Sequence, residues 1–126
     1  MAIDLNKWLE EAKMAPDADK CGMYLMHNGV VRGTAKAQVR EGIDSDPVTG
    51  MIFSYDATMI DKVVSRAKEM PGIYYVRAEL GSGKLDVGDD IMYILIGADT
   101  RPHALDAFNN LMDDIKGNCV KELEMN

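Results

Sequence analysis

Three basic residues stand where they could hold and transform an anion: Arg32, Arg101 and Lys116. Arg101 precedes Pro102, which suits the first turn of a helix because its missing amide hydrogen costs nothing there. An arginine beside free helix N-terminal amides makes an anion site. Arg32 lies between Gly29 and Gly33, small residues that let a ligand approach the backbone. Lys116 follows Phe108 and Met112 at helical spacing. Its stem therefore runs along the border of an apolar stripe, a place from which a lysine can act as general acid, base or nucleophile. The competing explanation for each is a solvated surface cation. For Lys116 that means a helix-end lysine favoured by the macrodipole and paired with Asp113, worth about 0.2–0.5 kcal/mol.

The spacing of two of these residues constrains how they could meet. If the chain from Pro102 to Lys116 is helical, Arg101 and Lys116 are separated by roughly 22 Å at the α-helical rise. One chain cannot then bring both to one small anion. A two-fold dimer can, because an isologous interface sets the start of one helix beside the end of its partner.

The elements that must position these side chains follow from hydrophobic periodicity. Leu5, Trp8, Leu9 and Ala12 recur at helical spacing behind the N-cap Asp4, and Pro16-Asp17 ends that helix. Gly22 to Met26 reads as a buried strand, Asn28-Gly29 as a turn, and Val30-Val31 as resumed extended chain. Thr34 to Gly50 is polar and reads as an exposed loop or irregular hairpin. Met51 to Tyr55 reads as a strand, and Met59, Ile60, Val63, Val64, Ala67 and Met70 as a helix with a capping box at Thr58 and Asp61. Pro71-Gly72 stops it. Ile73 to Leu80 and Ile91 to Ile96 read as strands, with a turn at Gly81 to Lys84 and a bend at Val87-Gly88-Asp89. Ala104, Leu105, Phe108, Leu111, Met112 and Ile115 share one face of the last helix, and a short tail follows. Helices and strands mixed without strict βαβ alternation predict an α+β fold with a mainly antiparallel sheet.

Composition bounds the partners. A chain of 126 residues is expected to form a single domain spanning 1–126, with 47% hydrophobic and 28% charged residues typical of a soluble protein. No apolar run approaches bilayer length and no signal-peptide core is evident near the N-terminus, so a cytoplasmic protein without membrane association is expected. The net charge of −7 disfavours nucleic acid, which requires a basic face. Cys21 and Cys119 are expected to be reduced. Ten methionines against two phenylalanines indicate a core of adaptable side chains.

Several of these positions fall in register with a known family. Gly83-Lys84-Leu85-Asp86-Val87-Gly88-Asp89, the apolar strand after it, Arg101, Ala104, Ala107, Asp113 and Lys116 follow the order G-x-L-x-V-G-[DE], strand, H-R-x-x-A-F-x-A, D-x-[LI]-K. Asn28-Gly29-Val30-Val31-Arg32-Gly33 resembles the G-x-V-R-G loop of the same family, the large, catalytic subunit of molybdopterin synthase. The resemblance spans about half the chain in two blocks. It implies an α/β hammerhead-like fold with an additional small β-sheet, a homodimer within a heterotetramer, and a ubiquitin-like sulfur-carrier small subunit whose Gly-Gly tail ends in a thiocarboxylate. The implied reaction moves sulfur from that tail to cyclic pyranopterin monophosphate, giving molybdopterin, with no cofactor and no metal. The implied pterin phosphate site is Arg32, with Val31 and Gly33 of its loop, joined by Arg101 and Thr100 of the opposite subunit. Lys116 is implied as catalytic, with Lys121 a second lysine reaching the pocket from the tail.

This chain departs from the pattern in two places. Thr100 stands where the family has histidine, and His103 is not its equivalent by alignment. The family ending P-I-W-K-[KR]-E is replaced by Val120-Lys121-Glu122-Leu123-Glu124, so that the second lysine's position falls on Leu123. These departures motivate an alternative: a non-catalytic homologue that binds the carrier protein or a pterin-like anion. A sensor of an unrelated small ligand is a third reading. Gly81-Ser82-Gly83-Lys84 lacks the spacing of a phosphate loop, Asp44-Ser45-Asp46 is broken as a calcium loop by Pro47, and His27 and His103 lack metal-ligand spacing.

Overall fold

The apolar run at 91–96 lies within β5 (Asp90–Ala98), the central strand of a three-stranded antiparallel sheet in the computed structural model, which describes residues 3–126. Its neighbours are β1 (Met23–Val30) and β3 (Ile73–Leu80). β5 reads as continuous rather than alternating because both of its faces are covered. Met92, Ile94, Ile96 and Ala98 join the main core with α3 (Ala57–Lys68) and α4 (Arg101–Asn118), while Tyr93 and Leu95 face α1 (Leu5–Lys13) through Trp8 and Ala12.

Helix boundaries have local causes. The Asp4 carboxylate accepts from the Asn6 and Lys7 amides at 3.0 and 3.2 Å and starts α1. α3 begins two residues earlier than the capping box predicts, because Asp56 accepts from the Met59 amide at 3.2 Å. α4 carries Ala104, Ala107, Leu111 and Ile115 on its buried face, and the two alanines let its backbone approach the sheet. That close seat aims the last turn of α4, with Lys116, at the end of β1.

A second three-stranded antiparallel sheet has the order β4-β2-β6, built from β2 (Gly50–Tyr55), β4 (Gly83–Asp86) and β6 (Val120–Met125). The α+β class, the mainly antiparallel pairing and the additional small sheet are as expected from the sequence. Among the described residues no helix is long and apolar enough to cross a membrane.

Four local expectations are corrected. The tail is strand β6, paired with β2 from Val120↔Tyr55 to Met125↔Gly50. The polar stretch after Thr34 contains a short helix, α2 (Lys36–Glu41). Gly83 and Lys84 belong to β4 rather than to a turn. Asn28-Gly29 lies inside β1, where the Asn28 side-chain amide donates to Asp90 Oδ1 at 3.1 Å and to the Met92 carbonyl at 3.3 Å. Cross-strand bonding to β5 outweighs the local turn preference, and only a register shift at Gly29/Val30 remains of it.

Candidate functional site

Lys116 opens onto a pocket of about 180 Å³ between the end of β1, the last turns of α4, α2 and β6. Met51, Ile91, Met92 and Met112 contribute apolar wall, and Arg32, Lys36, Arg40 and Lys116 bring four cations to it. Glu122 and Glu124 are the two carboxylates among its lining residues. With His27 neutral, the lining keeps a surplus of positive charge in a chain that is acidic as a whole. Such a pocket attracts an anion.

Two separated stretches of sequence fix Arg32. Val31 is buried in the core, its amide donates to the Asp89 carbonyl at 2.9 Å, and its carbonyl accepts from the Gly88 amide at 2.8 Å. The bend 87–89 therefore clamps the loop that carries Arg32. Gly88 has φ +89°, a left-handed conformation that glycine adopts without strain. The Gly33 carbonyl accepts from the Val48 amide at 3.0 Å. Val31 and Gly33 thus hold the loop through their backbones and do not line the pocket, whereas the Arg32 side chain between them does. Its Nε donates to the Thr34 carbonyl at 3.2 Å.

Lys116 is exposed in the last turn of α4, and the ion pairs of the described residues do not include it. The pairing with Asp113 expected from their spacing is therefore absent. His27 of β1 faces the same pocket, its ring 5.1 Å from that of Phe108 on α4. Burial pushes the His27 imidazole below its ordinary value, and the positive charge of Lys116 pushes it the same way. A neutral imidazole beside an ammonium can accept or relay a proton.

The tail contributes acids, not a lysine. Period-two alternation along β6 turns Glu122 and Glu124 toward the pocket and leaves Lys121 and Leu123 exposed, Leu123 at 62%. Lys121 lines a separate groove with Ser54, Tyr55 and Cys119, so within one chain it does not join Lys116. The Glu124 carboxylate accepts from the Lys36 amide at 3.0 and 3.3 Å, and Glu122 Oε2 lies 3.6 Å from Lys36 Nζ.

Thr100 and Arg101 sit at the other end of α4, in an open groove with Met23, Pro102 and Leu105. Asp99 organises this end: its Oδ1 accepts from the Thr100 amide at 2.6 Å and from the Thr100 hydroxyl at 3.3 Å, and lies 2.7 Å from His103 Nδ1. The His103 contact holds the Asp99 carboxyl below the usual range; burial opposes it by less, and the Thr100 amide adds to the lowering. Arg101 and Lys116 face different pockets, at opposite ends of one helix.

Sequence reasoning missed His27, Lys36, Arg40, Glu122 and Glu124. His27 shares a strand face with Leu25, which packs in the main core, and that alternation was the available signal. Lys36 and Arg40 stand four residues apart, one helical turn, within a segment whose polarity suggests a loop. Among the described residues no cluster of three His, Cys, Asp or Glu could hold a metal ion. Burial raises the Cys119 thiol above its ordinary value, and Asp114 and Asp56 act in the same direction, which leaves it protonated and inert.

The model of one protein family, described as MoaE protein, matches residues 2–118. No curated protein matches the chain by sequence. Among solved structures, molybdopterin synthase from Staphylococcus aureus is similar at a TM-score of 0.72 and 17% identity, over 98% of this chain and 85% of that one. Molybdopterin cofactor biosynthesis protein E from Burkholderia multivorans is similar at 0.70 and 19% identity, over 98% and 83%. A complex of subunits 1 and 2 of molybdopterin-converting factor from Helicobacter pylori includes a chain similar at 0.66 and 19% identity, over 98% and 79%. At these identities the structural likeness establishes the fold.

Proposed function

The chain belongs to the MoaE family, whose field is molybdenum cofactor biosynthesis, and from that premise we propose that it is the catalytic subunit of a molybdopterin synthase acting in the cytoplasm. The proposed substrate is cyclic pyranopterin monophosphate. The proposed sulfur donor is a ubiquitin-like small subunit ending in Gly-Gly thiocarboxylate, as part of a heterotetramer centred on a homodimer. Two sulfurs enter the pterin side chain to form the dithiolene, and oxygen from the displaced side-chain group of the substrate and from water replaces each sulfur, so that each thiocarboxylate leaves as a carboxylate.

The observation that carries this reading is the pocket uniting Arg32 and Lys116, which come from the two sequence blocks that resemble the family. Both reactants are anions, so the pocket's cations serve first to neutralise and orient them. Arg32 is assigned to the pterin phosphate, and Lys116 to the thiocarboxylate, where it neutralises the charge on oxygen and sulfur and moves protons as oxygen replaces sulfur. Arg101 reaches the phosphate from the partner protomer, because within its own chain roughly 22 Å of helix separates it from Lys116. Val31 and Gly33 fix the Arg32 loop, and Thr100 presents Arg101.

Reconstitution tests the proposal. With cyclic pyranopterin monophosphate and a thiocarboxylated small subunit, the wild-type chain yields dithiolene and Lys116→Ala does not. Equal turnover by the variant overturns the assignment. A second reading, a binding module that has lost turnover, is favoured by Thr100 in the histidine position and by the outward-facing Leu123. It predicts calorimetric binding of the carrier without product.

A further inference from the structure

We propose that Lys36 of α2 is a substrate-binding cation of the Lys116 pocket, and that Glu122 and Glu124 of β6 are positioning residues that hold it there. The inference rests on the catalytic reading of that pocket and assigns it a residue from a segment the chemistry has not otherwise used.

α2 has a local stop at Gly42, with φ +68°, but no local cap at its start. It is six residues long, its N-cap is Ala35, and no side chain of its own caps it. A helix of that length does not persist by itself in water. Its first amide is bound by the Glu124 carboxylate, 88 residues away in sequence, at 3.0 Å. The next inward residue of the same strand, Glu122, lies 3.6 Å from Lys36 Nζ. β6 is in turn locked to β2, with Phe53↔Glu122 and Met51↔Glu124 in register, and Phe53 is fully buried. Two carboxylates on a fixed strand therefore grip one residue twice, at its backbone and at its ammonium.

That grip faces a ligand site. Lys36 lines the pocket with Lys116, Arg32 and Arg40, and the two carboxylates leave the four cations a surplus of positive charge. The Lys36–Glu122 pair is partly exposed, with the lysine side chain 42% accessible, so the ammonium can exchange one carboxylate for an anionic substrate group at little cost. β6 itself offers no inward cation, since Lys121 lies in another groove and Leu123 is exposed. Lys36 fills that role from α2. The chemistry recognised is an anionic oxygen or sulfur, which either the pterin phosphate or the carrier's thiocarboxylate supplies.

The test is steady-state kinetics of the reconstituted enzyme, with cyclic pyranopterin monophosphate and thiocarboxylated small subunit varied in turn. Loss of one charge-assisted contact in Lys36→Met is expected to raise one KM about tenfold to a hundredfold, while Lys36→Arg stays within about threefold of wild type. A rise in the pterin KM assigns Lys36 to the phosphate, and a rise in the carrier KM assigns it to the thiocarboxylate. Glu124→Gln is expected to raise the same KM by a smaller factor, with rescue by Glu124→Asp. Lys84→Met, which removes an exposed lysine of β4 that does not line the pocket, is expected to leave both KM values unchanged. Unchanged KM and kcat in Lys36→Met, with Lys116→Ala inactive, overturn the inference and leave the function standing. If wild type gives no turnover, the catalytic reading falls, and calorimetry of cyclic pyranopterin monophosphate and of the thiocarboxylated small subunit decides the rest: weaker binding of either by Lys36→Met than by wild type supports the cation's role, and equal binding of both overturns it.

Discussion

The two ends of α4 are built on opposite plans. At its C-terminal end, side chains from β1, the Arg32 loop, α2 and β6 converge with Lys116 on one pocket, and four cations face two carboxylates. At its N-terminal end, Arg101 stands in an open groove, and the polar bonding is spent on the helix itself, through Asp99, Thr100 and His103. One end has the makings of a site within a single chain; the other has a cation and a well-anchored backbone but no enclosing walls. A cation on an anchored helix start, in an open groove, is suited to completing a pocket on a neighbouring molecule.

Deleting the ammonium at the enclosed end has the largest expected effect. Lys116→Ala lowers turnover by several orders of magnitude, because each 1.4 kcal/mol of lost transition-state stabilisation is about tenfold. The residue is exposed and in none of the ion pairs of the described residues, so thermal unfolding should move by little; a large fall in Tm would show the lysine to be structural.

The open end yields a sharper experiment. Arg101→Ala alone is expected to cost about tenfold to a hundredfold in kcat/KM for the pterin. Mixing Arg101→Ala with Lys116→Ala chains, with exchange of protomers, should restore activity, because each mixed dimer has one site with both cations intact. Random pairing of equal amounts makes about half of the dimers mixed, and recovery then approaches a quarter of wild-type activity. No recovery above the sum of the separate variants would break the contrast between the two ends, since Arg101 would then not serve a partner's site.

Gly72 probes how the open end is anchored. Its φ is +75°, and a Cβ there would lie 2.2 Å from His103 Nδ1 and 2.4 Å from Asp99 Oδ1. Gly72→Ala should therefore disturb the Asp99–His103 contact and cost about 1–3 kcal/mol by chemical denaturation, a range that covers a strained backbone residue. If the open end acts through Arg101, the same variant also weakens activity without touching the Lys116 pocket.

The main sheet, α1, α3 and α4 were legible because their signals are local or periodic. The Asp4 cap, the apolar run of β5 and the stripe of α4 each lie within one window of sequence. The second half of the site was not. Val120-Lys121-Glu122-Leu123-Glu124 has three charges in five residues and reads as a solvated tail; it is a strand because β2 offers a free edge, and its acids are accommodated because Lys36 answers them. α2 is held by a carboxylate 88 residues distant, which no local pattern contains. Asn28-Gly29 shows the converse, a strong turn signal overridden by pairing with β5. Arg32 and Lys116 were legible as cations; their meeting depends on bonds from Val31 to Gly88 and Asp89 that only the fold reveals.

The smallest expected effects separate the two ends by pH. His27 is shifted below its ordinary value of 6.5, so on acidification the unfolded chain takes up this proton before the native one. Native stability then falls as pH drops below about 6.5, and His27→Phe, which keeps a ring against Phe108, should flatten that slope. Asp99 is shifted below 3.8, so its contribution is present above that pH and is lost as pH falls through the range beneath it. Asp99→Asn should flatten only this lower window. Urea titrations at stepped pH would resolve the two, and a slope near pH 6 that survives in His27→Phe would place the titrating group elsewhere. The same variant bears on turnover: a neutral imidazole that relays protons at the enclosed end predicts a pH–rate profile that loses a limb in His27→Phe, whereas Asp99→Asn keeps its shape.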